Sequence, residues 1–381
     1  MEYFGEGHEI FRSAIRRFVT EEISPHVDVW ESQGEIPRGL FRKLGGLGFL
    51  GIEYPEKYGG AGADFWMTVV LAEELARCRA GGVAFSVIVH TDMSSPWLAR
   101  LGTEEQKARY LPDIIKGEKI CALSITEPDA GSDMAGIMTT ARKDNKNWIV
   151  NGSKTFTTNG VYGDLYFVSA RTGTEGPRHR QLSQFLIEKD TPGLKVVKKL
   201  DKTGMLSSDT AELVFEDVKV PESNLLGQEN KGFYQLASGL QRERILAAVL
   251  SISAANQALE DTRTYLKTRK AFNQPLSNLQ ALRHRFADGW TQIEAARNLT
   301  YSAAYKFETG QESEVEVSMA KLFATETANK IAYDAVQLHG GYGYIRETPV
   351  ERFARDYRVW TIAAGSSEIM REIISKNLLQ D

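Results

Sequence analysis

The chain has 381 residues, 42% of them hydrophobic and 25% charged, an ordinary soluble composition with ample material for two or three domains. A net charge of −4 argues against a nucleic-acid surface. Two cysteines, Cys78 and Cys121, make neither a disulfide framework nor a metal-ligand spacing, which points to a reducing compartment.

The opening MEYFGEGHEIF lacks the basic-then-apolar pattern of a secretory signal, and its acidic residues argue against a transit peptide, so a cytoplasmic protein is expected. Residues 1–119 read as helical. Phe11, Ile15 and Phe18 share one helical face, and Leu71, Leu75 and Cys78 repeat the spacing in a second stretch. Gly46 to Gly51 matches GxGxxG. A dinucleotide fold needs that motif after a strand, whereas RGLFRKL before it reads as a helix, so a helix end and turn is the better reading.

From Cys121 the period changes. Trp148–Val150, Leu165–Ser169, Phe185–Ile187 and Ala211–Val220 are short apolar or alternating runs broken by Gly, Asp and Pro, and they read as strands of a domain over 120–228. A Gly/Asn-rich stretch from Asn224 to Gly232 closes it. Residues 229–381 read as long helices, with no proline from 231 to 268. The plan is α+β: helices, then a β domain, then helices.

Two blocks carry the chemistry. ITEPDAGSD at Ile125–Asp133 is a turn that presents hydroxyls and bare backbone N–H groups. NGSKTFTTNG at Asn151–Gly160 is expected to open with a turn at Asn151–Gly152 and run into a β segment. With QLHGGYGY at Gln337–Tyr344 and RKAF at Arg269–Phe272, the pair resembles the flavin-contacting segments of acyl-CoA dehydrogenases, and the likeness spans essentially the whole chain. It implies an N-terminal helical domain, a central β-barrel-like domain and a C-terminal four-helix bundle, with FAD as cofactor. It further implies an electron-transfer flavoprotein as electron acceptor and a homotetramer built as a dimer of dimers.

The family reaction takes a proton from C2 of an acyl-CoA with a carboxylate while hydride leaves C3 for flavin N5. Many members place that carboxylate immediately before Gly-Thr or Gly-Ser. Here TIAAGSSEIM puts Ala364 at that position, which cannot abstract a proton. The long-chain and isovaleryl types resemble a second arrangement, with Glu before Arg early in the first long C-terminal helix. GLQRERILAA supplies Glu243 and Arg244. Leu236, Leu240, Glu243, Ala247 and Leu250 lie on one helical stripe, apolar but for Glu243. A carboxylate there has a raised pKa, as a base needs; the plainer alternative is a structural ion pair with Arg242 or Arg244. Asp92, in VHTDMSSPW, is the rival base and would suit an alicyclic acyl group; its plainer role is local hydrogen bonding around Thr91 and Ser94. A protein that kept its flavin and lost its reaction is the remaining alternative.

The resemblance assigns Ile125, Thr126, Ser132, Phe156 and Thr158 to the flavin ring region, with Ser132 also near substrate. Phe156 stands where many relatives have Trp. Arg269 and Phe272 are assigned to the pyrophosphate and adenine end, with Gln280 near the ribose or adenine. Gln337, Gly340 and Gly341 are assigned to the same ADP portion from another subunit. Ser366 is a plausible N-cap of the last helix, which with Glu368 would face the flavin. Arg244 is the best contact for the CoA arm.

Overall fold

The computed structural model describes residues 3–379. The N-terminal part consists of α1 (Glu6–Phe18), α2 (Val27–Gln33), α3 (Arg38–Gly46), α4 (Phe65–Ala76), α5 (Gly81–Ile88), α6 (Ser95–Leu101) and α7 (Glu104–Ile115). Two of its helices, α4 and α7, start at side-chain caps. Asp64 accepts the Met67 N–H at the head of α4, and Thr103 and Gln106 form a reciprocal capping box on α7. Ile15 and Phe18 are buried and Phe11 packs against the same core. The GxGxxG stretch is the end of α3 and the turn after it, with Gly48 at φ +79°.

Strands β1 (Cys121–Ser124), β2 (Thr140–Asp144), β3 (Asn147–Thr158), β4 (Leu165–Arg171), β5 (Leu182–Glu188), β6 (Leu194–Lys199), β7 (Thr210–Pro221) and β8 (Leu225–Leu226) form one mixed sheet in the order β6-β7-β3-β2-β4-β5-β8. Strand β1 adds in parallel to β4. The sheet does not close on itself, so the barrel-like expectation is corrected to an open, mixed sheet. Trp148, Val150, Val168, Phe185, Leu213 and Phe215 fill its core.

A second correction concerns Asn151–Gly152. The chain reverses at Asn145–Lys146, with Asn145 at φ +54°, and β3 then runs unbroken through Gly152. Gly152 sits at a bulge opposite β7, at φ +149°, where an added Cβ would lie 2.4 Å from the Thr139 hydroxyl. An isolated Asn-Gly pair signals a turn, but here close approach of a second backbone required the glycine.

The C-terminal part begins with α8 (Gly232–Thr268), followed by a hairpin of β9 (Lys270–Ala271) and β10 (Gln274–Pro275). Helices α9 (Gln280–Glu308), α10 (Glu314–His339), α11 (Pro349–Asp356) and α12 (Ser367–Leu379) complete the chain. Helices α8, α9 and α10 pack on one another, and α12 packs on α10. Buried alanines such as Ala255, Ala258, Ala296, Ala303, Ala324 and Ala328 let these helices approach closely. Asp356 joins all three parts: its carboxylate accepts the N–H of Gly81 (2.8 Å) and of Met205. Burial and the nearby Glu31 push its pKa up to about 7.

Candidate active site

The two sequence blocks meet through a buried ion pair. Lys154 Nζ lies 2.8 Å from the Glu127 carboxylate and 2.9 Å from the Ile125 carbonyl oxygen. Glu127 also accepts the N–H groups of Met138 (2.6 Å) and Thr139 (2.9 Å), and Thr155 N–H donates to the Thr126 carbonyl (2.9 Å). Burial pulls the Lys154 ammonium down to about 8 against the pull of Glu127. Burial also works against the Glu127 charge, yet Lys154 and the surrounding donors hold its pKa below the usual value. Neither residue was singled out by sequence reasoning, because an acid and a base 27 positions apart carry no periodic signal.

This staple ties the ITEPDAGSD turn to β3. Glu127 and Ala130 exchange two backbone hydrogen bonds around Pro128–Asp129, which turns Gly131 and Ser132 outward. An added Cβ on Gly131 would meet nothing within 4 Å. Across from it, β3 bulges between Lys154 and Thr157. Phe156 lies in that bulge at φ +56° with its ring 66% exposed. A bulky residue in the left-handed region with an unpacked ring has no reason inside the chain. Thr158 is buried, and Ile125 packs beneath the turn against the cluster of Ala130, Ile137 and Leu182.

Glu243 and Asp92 have different surroundings. Glu243 is 5% exposed, its Oε1 is buried without a hydrogen-bond partner, and no ion pair reaches it among the described residues. Burial raises its pKa to about 8, against the opposing charge of Arg244. Arg242, next in the chain, instead contacts Asp92 and Glu53, with Nη1 2.9 Å from Glu53. Burial disfavours the Arg242 charge, and the two carboxylates more than offset this. Asp92 also accepts the Thr91 hydroxyl (2.5 Å). Its pKa is raised, mainly by burial, with Glu53 adding and Arg242 opposing. The local bonding to Thr91 was foreseen; the pairing with Arg242 was not. The apolar stripe holds in part: Leu236, Ala247 and Leu250 are buried, Leu240 is half-buried, and from Glu243 to Leu250 every residue of α8 is buried.

Beside Arg244 runs the loop before α12. Ala364 (φ +54°) and Gly365 (φ +92°) are both left-handed, and a Cβ on Gly365 would sit 3.7 Å from the Arg244 guanidinium. The buried Lys321 donates to the Gly365 carbonyl at 2.6 Å; burial, with Arg244 adding, lowers its pKa to about 8. Ser366 caps α12, its hydroxyl accepting the Ile369 N–H at 3.3 Å. Glu368 is exposed in the first turn.

The remaining predicted residues gather at the far end of α8. Arg269 lies over the Tyr342 ring at 5.7 Å, and Tyr265 stacks on His339. Phe272, 86% exposed, is at the tip of a two-residue hairpin whose loop residues Phe272 and Asn273 are both left-handed. Gln280 and Gln337 are exposed. Gly340 adopts φ +59°, ψ −138°, which only glycine tolerates. Gly341 faces open space, so the room above both glycines is free for an approaching group. About 39 Å of helix, at ~1.5 Å per residue, separates Glu243 from Arg269.

Comparisons with known proteins agree with this layout. Residues 5–118 match the family model for the acyl-CoA dehydrogenase N-terminal domain, 122–218 the middle domain and 230–379 the C-terminal domain. The chain is 43% identical over 380 residues to the long-chain specific acyl-CoA dehydrogenase, mitochondrial, of Sus scrofa, covering 99% of this chain and 88% of the relative. It superposes on the crystal structure of an acyl-CoA dehydrogenase from Geobacillus kaustophilus with a TM-score of 0.96 and 44% identity, over 99% of both chains. It matches the FAD complex of PigA with a TM-score of 0.95 and 29% identity, over 99% of both chains. The exposed strained Phe156, the bare Gly131 and the open Gly340–Gly341 are features that an isoalloxazine ring and an ADP moiety would fill. The chain belongs to the acyl-CoA dehydrogenase family of FAD-dependent oxidoreductases.

Proposed function

We propose that this protein dehydrogenates an acyl-CoA between C2 and C3 to the trans-2-enoyl-CoA, with Glu243 as the base. The observation that carries the reading is the state of Glu243: buried, unpaired and held near pKa 8. Such a carboxylate takes up a proton readily, and no ion pair has to be broken first. Arg242 meets Asp92 and Glu53 instead, which leaves Glu243 free.

FAD, when bound, supplies the hydride acceptor for the hydrogen leaving C3. Ile125, Thr126, Ser132, Phe156 and Thr158 would hold its ring end, with Ser366 and Glu368 of α12 nearby. Arg269, Phe272, Gln280, Gln337, Gly340 and Gly341 would hold its ADP end. The helix length between Glu243 and Arg269 exceeds the span of one FAD, so the second set serves the flavin of another copy. That supports a homo-oligomer, with the tetramer as the family expectation. Ser132 and Arg244 would contact the thioester and the CoA arm.

Electrons pass on to an electron-transfer flavoprotein, and the reaction belongs to fatty acid β-oxidation. Likeness to the long-chain enzyme and the small Ala364 support a straight or branched chain as substrate. No helix among the described residues is long and apolar enough to cross a membrane, which is compatible with action in the cytoplasm.

The rival reading makes Asp92 the base for an alicyclic carboxyl-CoA. Its bond to Arg242 gives it a structural task and weighs against that role. The test is anaerobic bleaching of the flavin absorbance by linear, branched and cyclic acyl-CoAs in wild type, Glu243→Gln and Asp92→Asn. Bleaching by linear or branched substrates, lost in Glu243→Gln alone, supports the proposal. Bleaching only by cyclic substrates, lost in Asp92→Asn, moves the base to Asp92. Bound FAD that no substrate bleaches would mean a silent member of the family.

A further inference from the structure

Two buried carboxylates from opposite ends of the chain converge on one turn of the β domain, residues 204–208. Asp356, the last residue of α11, accepts N–H groups from Gly81 (2.8 Å) and Met205 (2.5 Å). Glu31 of α2 accepts the Ser207 N–H at 2.9 Å. Glycines let the backbones come this close. A Cβ on Gly82 of α5 would lie 2.5 Å from the Ser207 hydroxyl, and one on Gly204 would lie 2.4 Å from the Arg355 carbonyl oxygen. The turn itself is strained at Met205, with φ +52°. Glu31 Oε2 and the Ser207 hydroxyl are buried there without a hydrogen-bond partner.

Neither carboxylate has an ion pair among the described residues, because the cations around them are engaged elsewhere. Arg352 pairs with Asp28 of α2, Arg355 with Glu351 on its own helix, and Arg79 with Asp261 of α8. Lys202 donates to the Ser208 carbonyl, and Asp209 accepts the Val161 N–H at 2.6 Å. Cys78 and Tyr357 are neutral neighbours: burial pushes the thiol up to about 12 and raises the phenol. Burial first and Glu31 second raise the Asp356 carboxyl from 3.8 to about 7, with Arg355 opposing. Two like charges in a dry junction repel, so a proton on one of them strengthens it. The same junction backs the end of β3. Thr158 pairs with Thr210, Asn159 N–H donates to the Asp209 carbonyl (3.3 Å), and the Asn159 amide donates to the Ser86 carbonyl of α5 (3.0 Å).

We propose that Asp356 and Glu31 make this three-part junction proton-dependent: with a proton on Asp356 the 204–208 turn is held, and without it the turn and the end of β3 behind it loosen. The sign follows from linkage. Folded Asp356 binds its proton more tightly than at its ordinary 3.8, so the stabilisation is full below pH ~3.8 and is lost as pH rises through ~7. The test is hydrogen exchange of the FAD-loaded protein at pH 6 and 8.5, read by mass spectrometry with labelling times scaled to the intrinsic rate. Peptides spanning 78–86 and 201–209 should open about tenfold more at pH 8.5 in wild type. Asp356→Asn should remove that difference. Glu31→Gln keeps an oxygen for the Ser207 N–H and sets its amide nitrogen where Oε2 has no partner, so it should fold normally and shrink the difference. Equal exchange at both pH values in wild type, the full difference retained in either variant, or a rise spread evenly over the whole chain would overturn the proposal.

A second measurement reads the link to the cofactor, which rests on Phe156 and Thr158 facing FAD. The dissociation constant of FAD, titrated into apo-protein, should be weaker at pH 8.5 than at pH 6 in wild type, and the gap should narrow in Glu31→Gln. If the exchange rates respond to pH and the FAD affinities of the two proteins change in parallel, the proton-dependent junction stands and its coupling to the flavin falls.

Discussion

Arg242 and Glu243 are neighbours on α8 with opposite surroundings: the arginine contacts Asp92 and Glu53, while the glutamate has no hydrogen-bond partner for its buried Oε1. A one-residue step rotates the side chain by about 100° around the helix. One position therefore faces acids supplied by the N-terminal part, and the next points away from them, to a buried place with no hydrogen-bond partner for its Oε1.

That isolation has a pH signature. With a folded pKa near 8, Glu243 is mostly protonated at neutral pH, so kcat/KM should rise about tenfold per unit below pH 8 and level off above it. Glu243→Asp should keep a rise of this form at reduced rate, and Glu243→Gln should abolish turnover. A profile flat from pH 6 to 9 would count against Glu243 as the ionising base.

Stability carries the same sign. The Glu243 carboxyl is raised from its ordinary 4.5, so the folded state binds the proton more tightly than the unfolded one. The stabilisation is full below pH ~4.5 and is lost as pH rises towards ~8. Glu243→Gln removes this loss. Its Tm advantage over wild type should grow between those values and stay constant above them. Thermal melts of both proteins across that range, at fixed FAD content, decide it.

Asp92→Asn leaves Arg242 with Glu53 alone. Removing one partner from a buried charge cluster costs about 3 kcal/mol, measurable by urea unfolding. Oxidation of a linear acyl-CoA should persist within severalfold. Loss of that activity with the fold intact would give Asp92 a chemical part.

The Glu127–Lys154 pair ties the ITEPDAGSD turn to β3. Lys154→Met or Glu127→Gln alone should cost about 3–5 kcal/mol by leaving a buried charge uncompensated. The double variant should lose less than the sum of the two. Both singles should also elute from gel filtration with less flavin. Additive stability losses with full flavin content would sink the idea that the pair positions the turn.

Phe156 holds a left-handed backbone with an exposed ring. Phe156→Gly should be more stable than Phe156→Ala as apo-protein by about 1 kcal/mol, since only glycine relieves the strain. Both should retain FAD poorly, which a ratio of flavin to protein absorbance would read.

Much of this was written locally in the chain. Helix faces such as Ile15 and Phe18, the strands at Leu165 and Ala211, the cap at Ser366 and the turn around Pro128 follow from periodicity and turn chemistry, which act within a few residues. The sequence also placed Glu243 on a largely apolar stripe. It did not say that Arg242 would pair with Asp92 and Glu53, that Lys154 would be buried against Glu127, or that Lys321 would hold the Gly365 carbonyl. Nor did it separate the bulge at Gly152 from a turn. Those outcomes depend on which segments, distant in sequence, pack together. Charge pairing acts over a few ångströms of space, whatever the distance along the chain, so only the tertiary fold decided that Asp92 was paired and that Glu243 was left without an ion pair.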